Sequence, residues 1–183
     1  MILLPVRGKW RITQKFGENA LPFYKEVLGH EGHNGIDLVS DDLVVRAPHD
    51  GYVRTFTTKL GGNEVEITSL PYDKSGKCRK SDLLHFASFL VKNGDFIHQG
   101  DPVGIMGNSG TLTTGRHCHW TFKLTRNGET LDKGNGYGGA LDVLRYCIGW
   151  YPVDIENLEF VGSSRVASGL SAILSRLRFP RPL

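Results

Sequence analysis

Short runs of alternating apolar and polar residues, punctuated by glycine, fill the chain as far as Leu124. Alternation of period two marks half-buried strands, and closely spaced glycines mark tight turns. The pattern predicts a strand and turn over 8–17, then a loop over 18–32 with one helical turn at Phe23–Leu28. Strands follow at about 35–39, 43–47, 51–58 and 63–69. Residues 71–82 read as a long basic hairpin tip, either a solvated loop or a contact for anionic polymer, and Leu83–Ala87 as an apolar strand interrupted by one histidine. Short strands with tight turns are expected over 91–110, a strand from His117 to Leu124, a turn over 125–130 and a flexible loop over 133–139. Residues 140–149 suggest a short helix with Leu141, Leu144 and Ile148 on one face. Beyond them, Val166, Leu170, Ile173, Leu174 and Leu177 form one helical stripe that Pro180 and Pro182 end. Four arginines (Arg165, Arg176, Arg178 and Arg181) make that end basic, so this helix either packs on the domain or lies on an anionic membrane. The expected architecture is mostly β: an antiparallel sheet of short strands with glycine-rich hairpins, few short helices and a C-terminal helix. Residues 1–150 form the domain and 151–183 an extension.

Composition narrows this picture. A chain of 183 residues supports one domain with a sizeable core, and its 23 glycines favour a turn-rich β protein. The net charge of +3 is too small to argue for nucleic acid and suits an anionic surface such as a cell wall. Cys78, Cys118 and Cys147 are odd in number and share no short spacing, which argues against a disulfide framework. No segment has the length of a membrane span. The start, Met1 to Arg7, is too short and too soon interrupted to read as a signal peptide. A substrate outside the membrane would then require release by lysis, carriage on a virion, or a signal already removed.

Two stretches carry chemistry. In His117-Cys118-His119-Trp120 the two histidines are two apart, so on a strand they share one face while Cys118 and Trp120 share the other. Solvated or hydrogen-bonded histidines would satisfy this pattern as well as metal ligands. His33 and Asp37 are four apart, which in extended chain again places both on one face. Two protein ligands from this pair and one from the histidine pair would make a zinc site with one position open, the catalytic arrangement. The other histidine of the pair would remain free to act as acid or base. Cys118 points away and reads as a buried thiol, His49 as structural, and His30 and His98 as surface residues.

Taken in order, these motifs resemble the lysostaphin-type zinc metallopeptidases. The resemblance rests on His33-x-Gly35-x-Asp37, on His85 inside an apolar strand, and on Gly115-x-His117-x-His119. Flanking segments agree: Ile12 to Gly17 resembles the family's opening strand and turn, Ala47 to Val53 its hairpin, and Val91 to Gly104 its glycine-aspartate segment. The similarity runs from about Ile12 to Phe122, with weaker signal to about Trp150. Three positions depart from the family: the 71–82 loop, Leu83 where an aromatic is usual, and Arg116 where a proline is usual.

The resemblance implies a duplicated hybrid motif fold, one Zn2+ per chain held by His33, Asp37 and His119, and His85 and His117 as catalytic histidines. It implies hydrolysis of peptide bonds in the stem or cross-bridge of bacterial peptidoglycan by a monomer, with no nucleic-acid partner. The missing export signal suggests a phage lysis enzyme. Two other classes are open. One is an inactive wall-binding or hydrolase-activating module of the same fold, which the presence of all five site residues argues against. The other is a lipoyl or sugar-phosphotransfer carrier, but residues 104–110 hold no lysine and such a fold gives no reason for His33 and Asp37.

Overall fold

The computed structural model describes residues 2–18 and 22–147. Eleven strands join in one antiparallel sheet: β1 (Trp10–Gln14), β2 (Ile36–Ser40), β3 (Val44–Arg46), β4 (Gly51–Thr58), β5 (Gly62–Thr68), β6 (Lys77–Phe89), β7 (Phe96–Ile97), β8 (Pro102–Met106), β9 (Cys118–Arg126), β10 (Glu129–Thr130) and β11 (Ala140–Leu141). The main path runs β1-β2-β9-β6-β5-β4-β7, with β10 and β11 on β9, and β8 linking β3 to β6. A single helical turn, α1 (Pro22–Glu26), lies in the loop before β2. The antiparallel, mostly β class read from the alternation is the one observed. The 151–183 extension and its basic helix lie outside the described residues.

Alternation gives the sheet two unlike faces. One face packs the core: Ile36, Leu38, Val65, Ile67, Leu83, Trp120 and Phe122 are all buried. Val45, Ala47, Val103, Met106 and the N-terminal Ile2, Leu4 and Val6 complete this core. Burying a side chain of this size contributes about 1.5–3 kcal/mol, so the core holds the strands in register. The other face is polar and carries the site. Strand pairing sets Asp37 opposite His119 and His119 opposite Leu84. One step along, Thr121, Asp82, Glu66 and Arg54 line up across four strands.

Three elements differ from the sequence reading. Most of the 71–82 segment's second half is strand, because β6 already begins at Lys77. The tip itself, residues 71–75, is exposed as expected, whereas Lys80 and Asp82 sit on the open face, where Lys80 pairs with Glu66 at 2.6 Å and Lys123 with Asp82 at 3.3 Å. Residues 140–147 do not form the expected α-helix, and Ile148 and Gly149 lie outside the described residues. Ala140 and Leu141 pair with β9, and the Asp142 carboxylate accepts from the Leu144 amide to start a 3-10 turn over Val143–Arg145. Finally, β9 begins at Cys118, and His117 joins the sheet by one isolated bridge to Gly107.

Candidate active site

Asp37 on β2 and His119 on β9 are direct cross-strand neighbours, and the Asp37 Oδ1 lies 2.9 Å from His119 Nδ1. His33 arrives by a different route. The bend over 31–35 precedes β2, so strand periodicity does not set its direction. The buried ring donates Nδ1–H to the Lys15 carbonyl at 3.0 Å. That fixes the neutral tautomer and turns bare Nε2 toward His119 Nδ1 at 2.9 Å and Asp37 Oδ1 at 3.3 Å. Gly35 makes this approach feasible: a Cβ there would stand 2.5 Å from the Trp120 carbonyl and 2.9 Å from the His119 ring.

His119 Nε2 lies 2.8 Å from the Thr121 hydroxyl, two residues on and on the same face. When Nε2–H donates to Thr121, Nδ1 is a second bare nitrogen. His33, Asp37 and His119 then turn three electron-rich atoms, all within 4.8 Å of one another, toward a common point. Two imidazole nitrogens and one carboxylate oxygen, each steadied by a hydrogen bond on its outer side, fit zinc with an open position. Burial pushes the Asp37 carboxyl up, but a proton on the facing nitrogen of His119 or His33 hydrogen-bonds to it, which outweighs burial and holds the group well below the usual carboxylate range; a bound cation takes the place of that proton. Burial also lowers His119, which keeps its ring neutral and able to bind a cation.

His85 reaches the same place through a bulge. Three residues of β5, Asn63 to Val65, face four of β6, Leu83 to Phe86. Leu83 points into the core and Leu84 onto the open face, so strict alternation would turn His85 inward. Instead His85 takes φ +71°, which returns its ring to the open face and Phe86 to the core. A left-handed conformation at a non-glycine residue costs about 1–3 kcal/mol, and such strain gathers at functional sites. The His85 amide donates to the Gly61 carbonyl at 3.1 Å, and its Nδ1–H to the Ser109 carbonyl at 2.9 Å. Burial lowers its pKa to about 4. His117 donates Nδ1–H to the Gly115 carbonyl at 2.8 Å, and its Nε2 lies 3.6 Å from Asp37.

All five residues singled out in the sequence therefore meet in one place. The remaining histidines separate from it. His49 is buried and hydrogen-bonded to Ser81 at 3.0 Å, and His98 lies exposed. His30 is half-buried rather than on the surface, and its Nδ1 has no hydrogen-bond partner among the described residues. Cys118 is buried on the opposite face, where burial pushes its thiol up. Arg116 is exposed, and Leu83 is core rather than groove lining. Two contributors went unread in the sequence. Thr121 was legible in principle, since it shares the His119 face. Tyr24 was not: it sits on α1, accepts from Gln14 Nε2 at 2.8 Å and places its ring centroid 6.1 Å from that of His33.

Comparison with known proteins bears on the family and fold of the chain. The family model for Peptidase family M23 matches residues 31–133. The peptidoglycan DD-endopeptidase ShyA of Vibrio cholerae is 34% identical over 119 residues, 63% of this chain and 25% of that protein. The chain spans about a quarter of the length of the curated relatives it matches. A zinc containing peptidase from Vibrio cholerae superposes with a TM-score of 0.53 at 25% identity, over 70% of this chain and 37% of that one. The catalytic domain of lysostaphin from Staphylococcus simulans shares the fold, with a TM-score of 0.58 at 19% identity, over 75% of this chain and 91% of that one.

Proposed function

This chain belongs to peptidase family M23, and we propose that it is a zinc-dependent endopeptidase hydrolysing peptide bonds in the stem or cross-bridge of bacterial peptidoglycan. The observation that carries the reading is the convergence of His33 Nε2, Asp37 Oδ1 and His119 Nδ1 beside two further histidines whose Nδ1 atoms are held by backbone carbonyls. The kinship with a peptidoglycan DD-endopeptidase supports the substrate class.

His33, Asp37 and His119 would hold the zinc, which would supply Lewis-acid polarisation of a carbonyl and make water more acidic, with a pKa of about 7. The chain's own residues supply the rest. The Lys15 carbonyl and the Thr121 hydroxyl hold the two ligand rings in orientation. His117 and His85, each with Nδ1–H spent on a backbone carbonyl, offer Nε2 to take the proton of the attacking water. Protonated, the same nitrogens donate to the developing oxyanion or the leaving amine. The open face across β9, β6 and β5 offers the peptide a surface to lie on. No helix among the described residues is long and apolar enough to cross a membrane.

The test is digestion of purified peptidoglycans of different cross-link chemistry, with mass analysis of the new termini. New amino and carboxyl ends at one peptide bond, lost on chelation and restored by zinc, are expected. Digestion that leaves every peptide bond intact overturns the reading.

A further inference from the structure

The polar face of the sheet continues well past the candidate metal centre. Register sets Lys123, Lys80, Thr68, Tyr52 and Phe96 side by side across β9, β6, β5, β4 and β7. Lys123 lies four residues from His119 on one strand, so the whole row shares the face of the metal cluster. Adjacent strands are ~4.8 Å apart, which puts Tyr52 ~14 Å and Phe96 ~19 Å from β9. Along the way Lys80 is paired with Glu66 and Lys123 with Asp82, so the near part of the row answers its own charges.

The far end is different in kind. Tyr52 is 53% exposed and Phe96 42%, and their ring centroids lie 5.0 Å apart at 72°. The His98 ring follows at 5.5 Å from Phe96, with the exposed Asp50 carboxylate 3.8 Å from its Nδ1. Two large rings in water, rimmed by a phenol, an imidazole and a carboxylate, suit a ligand that is apolar on its faces and hydroxylated at its edge. A pyranose ring has that chemistry.

We propose that the Tyr52–Phe96 ledge on β4 and β7 binds a sugar ring of the glycan strand that carries the peptide being cut. This rests on the reading of the chain as a peptidoglycan endopeptidase. Lys123 stands ~13 Å along β9 from His119, so the ledge lies ~20–23 Å diagonally from the cluster, a span that an extended peptide of about six or seven residues covers. A stem peptide with its cross-bridge, cut at His119 and lying diagonally across the strands, therefore brings its sugar end to the ledge.

Two measurements test this. Peptide-free glycan strands are titrated into the wild-type chain and into Tyr52→Ala and Phe96→Ala by calorimetry. Turnover is then compared on one cross-linked peptide with and without its disaccharide. Each variant is expected to bind the strands about tenfold more weakly, and the ratio of kcat/KM for sugar-bearing over sugar-free peptide should fall about tenfold, as for an aromatic anchor. Tyr52→Leu and Phe96→Leu, which keep bulk and lose the ring, should show the same loss with an unchanged melting temperature. Wild-type protein that ignores glycan strands, or variants that bind them as wild type does, would overturn the proposal. So would self-association lost in Tyr52→Ala with glycan binding intact, which would make the ledge a contact between copies. Glycan binding lost in the variants, from a protein that cuts neither peptide, would uphold the ledge and sink the endopeptidase reading.

Discussion

His85 and His117 present the same nitrogen to the same space. Their ring centroids lie 4.7 Å apart, and each gives its Nδ1–H to a backbone carbonyl, of Ser109 and Gly115 respectively. Carbonyl oxygens only accept, so neither ring can shift its proton to Nε2 without breaking that bond. Neither ring nitrogen on the Nε2 side is among the three converging ligand atoms. The pair thus resembles a base duplicated beside a metal site more than a set of extra ligands.

Separate substitutions distinguish those roles. His117→Ala and His85→Ala should each retain zinc, measured by metal analysis of the purified protein, and each should lose about 10²–10⁴-fold in kcat. The double variant should lose much less than the product of the two if they act as a unit. Zinc lost from His117→Ala would move that residue into the ligand set.

His33→Ala, Asp37→Ala and His119→Ala should lose tight zinc and hydrolysis together. Each removes one of three converging donors, and two donors make a poor catalytic zinc site. Near-stoichiometric zinc in any of the three at neutral pH would contradict the ligand assignment.

Thr121 tests the outer contact. Thr121→Val keeps the shape and removes the hydroxyl that lies 2.8 Å from His119 Nε2. Loss of such a partner typically weakens metal affinity by about 10–100-fold. Competition with a chromogenic chelator measures this directly, and wild-type affinity in the variant would show that Thr121 does not orient the ring.

Much of this site was legible from spacing, and the failures have physical causes. Asp37 and His119 were readable because both sit on strands, where alternation fixes direction. His117 was assigned to the right place for an incomplete reason, since it stands just outside β9 and is held by a bridge to Gly107. His85 runs against alternation; only the bulge and its φ of +71° bring it to the open face, and no local pattern announces them. Backbone carbonyls such as those of Lys15 and Ser109 have no sequence signature at all. Only the second half of the 71–82 segment departs from the loop reading: its charge suggested solvent, whereas cross-strand ion pairs with Glu66 and Lys123 place Lys80 and Asp82 on a half-buried sheet face.

Gly35 gives a steric prediction. Gly35→Ala would drive a methyl group against the Trp120 carbonyl at 2.5 Å and the His119 ring at 2.9 Å, and neither neighbour is a flexible side-chain end. The strands must part or His119 must turn. Overpacking of this kind typically costs about 1–3 kcal/mol. Chemical denaturation should show the loss of stability, and zinc affinity should fall with it. An unchanged midpoint together with normal zinc content would show that the crowding is relieved elsewhere.

The last prediction concerns acid stability and a histidine outside the candidate metal cluster. His49 is 2% exposed; its Nδ1–H donates to the Asp50 carbonyl at 2.9 Å, and its Nε2 accepts from Ser81, whose oxygen also receives the Trp120 indole N–H at 3.1 Å. This chain of hydrogen bonds requires the neutral ring. Burial is the main reason its pKa falls from 6.5 to about 4. The unfolded chain therefore takes up a proton near pH 6.5, whereas the folded protein resists until about pH 4. Between those values the unfolded state binds more protons, so stability rises with pH and is lost as the medium is acidified. The full contribution of this one group is on the order of 3 kcal/mol. His49→Gln keeps hydrogen-bonding atoms but cannot titrate. Urea unfolding at pH 7, 6, 5 and 4.5 should show the gap between wild type and variant narrowing steadily toward acid. Other titrating groups, His85 included, are common to both proteins and cancel in that difference. A gap that stays constant across the range would mean that His49 titrates alike in both states, contrary to its buried, neutral setting.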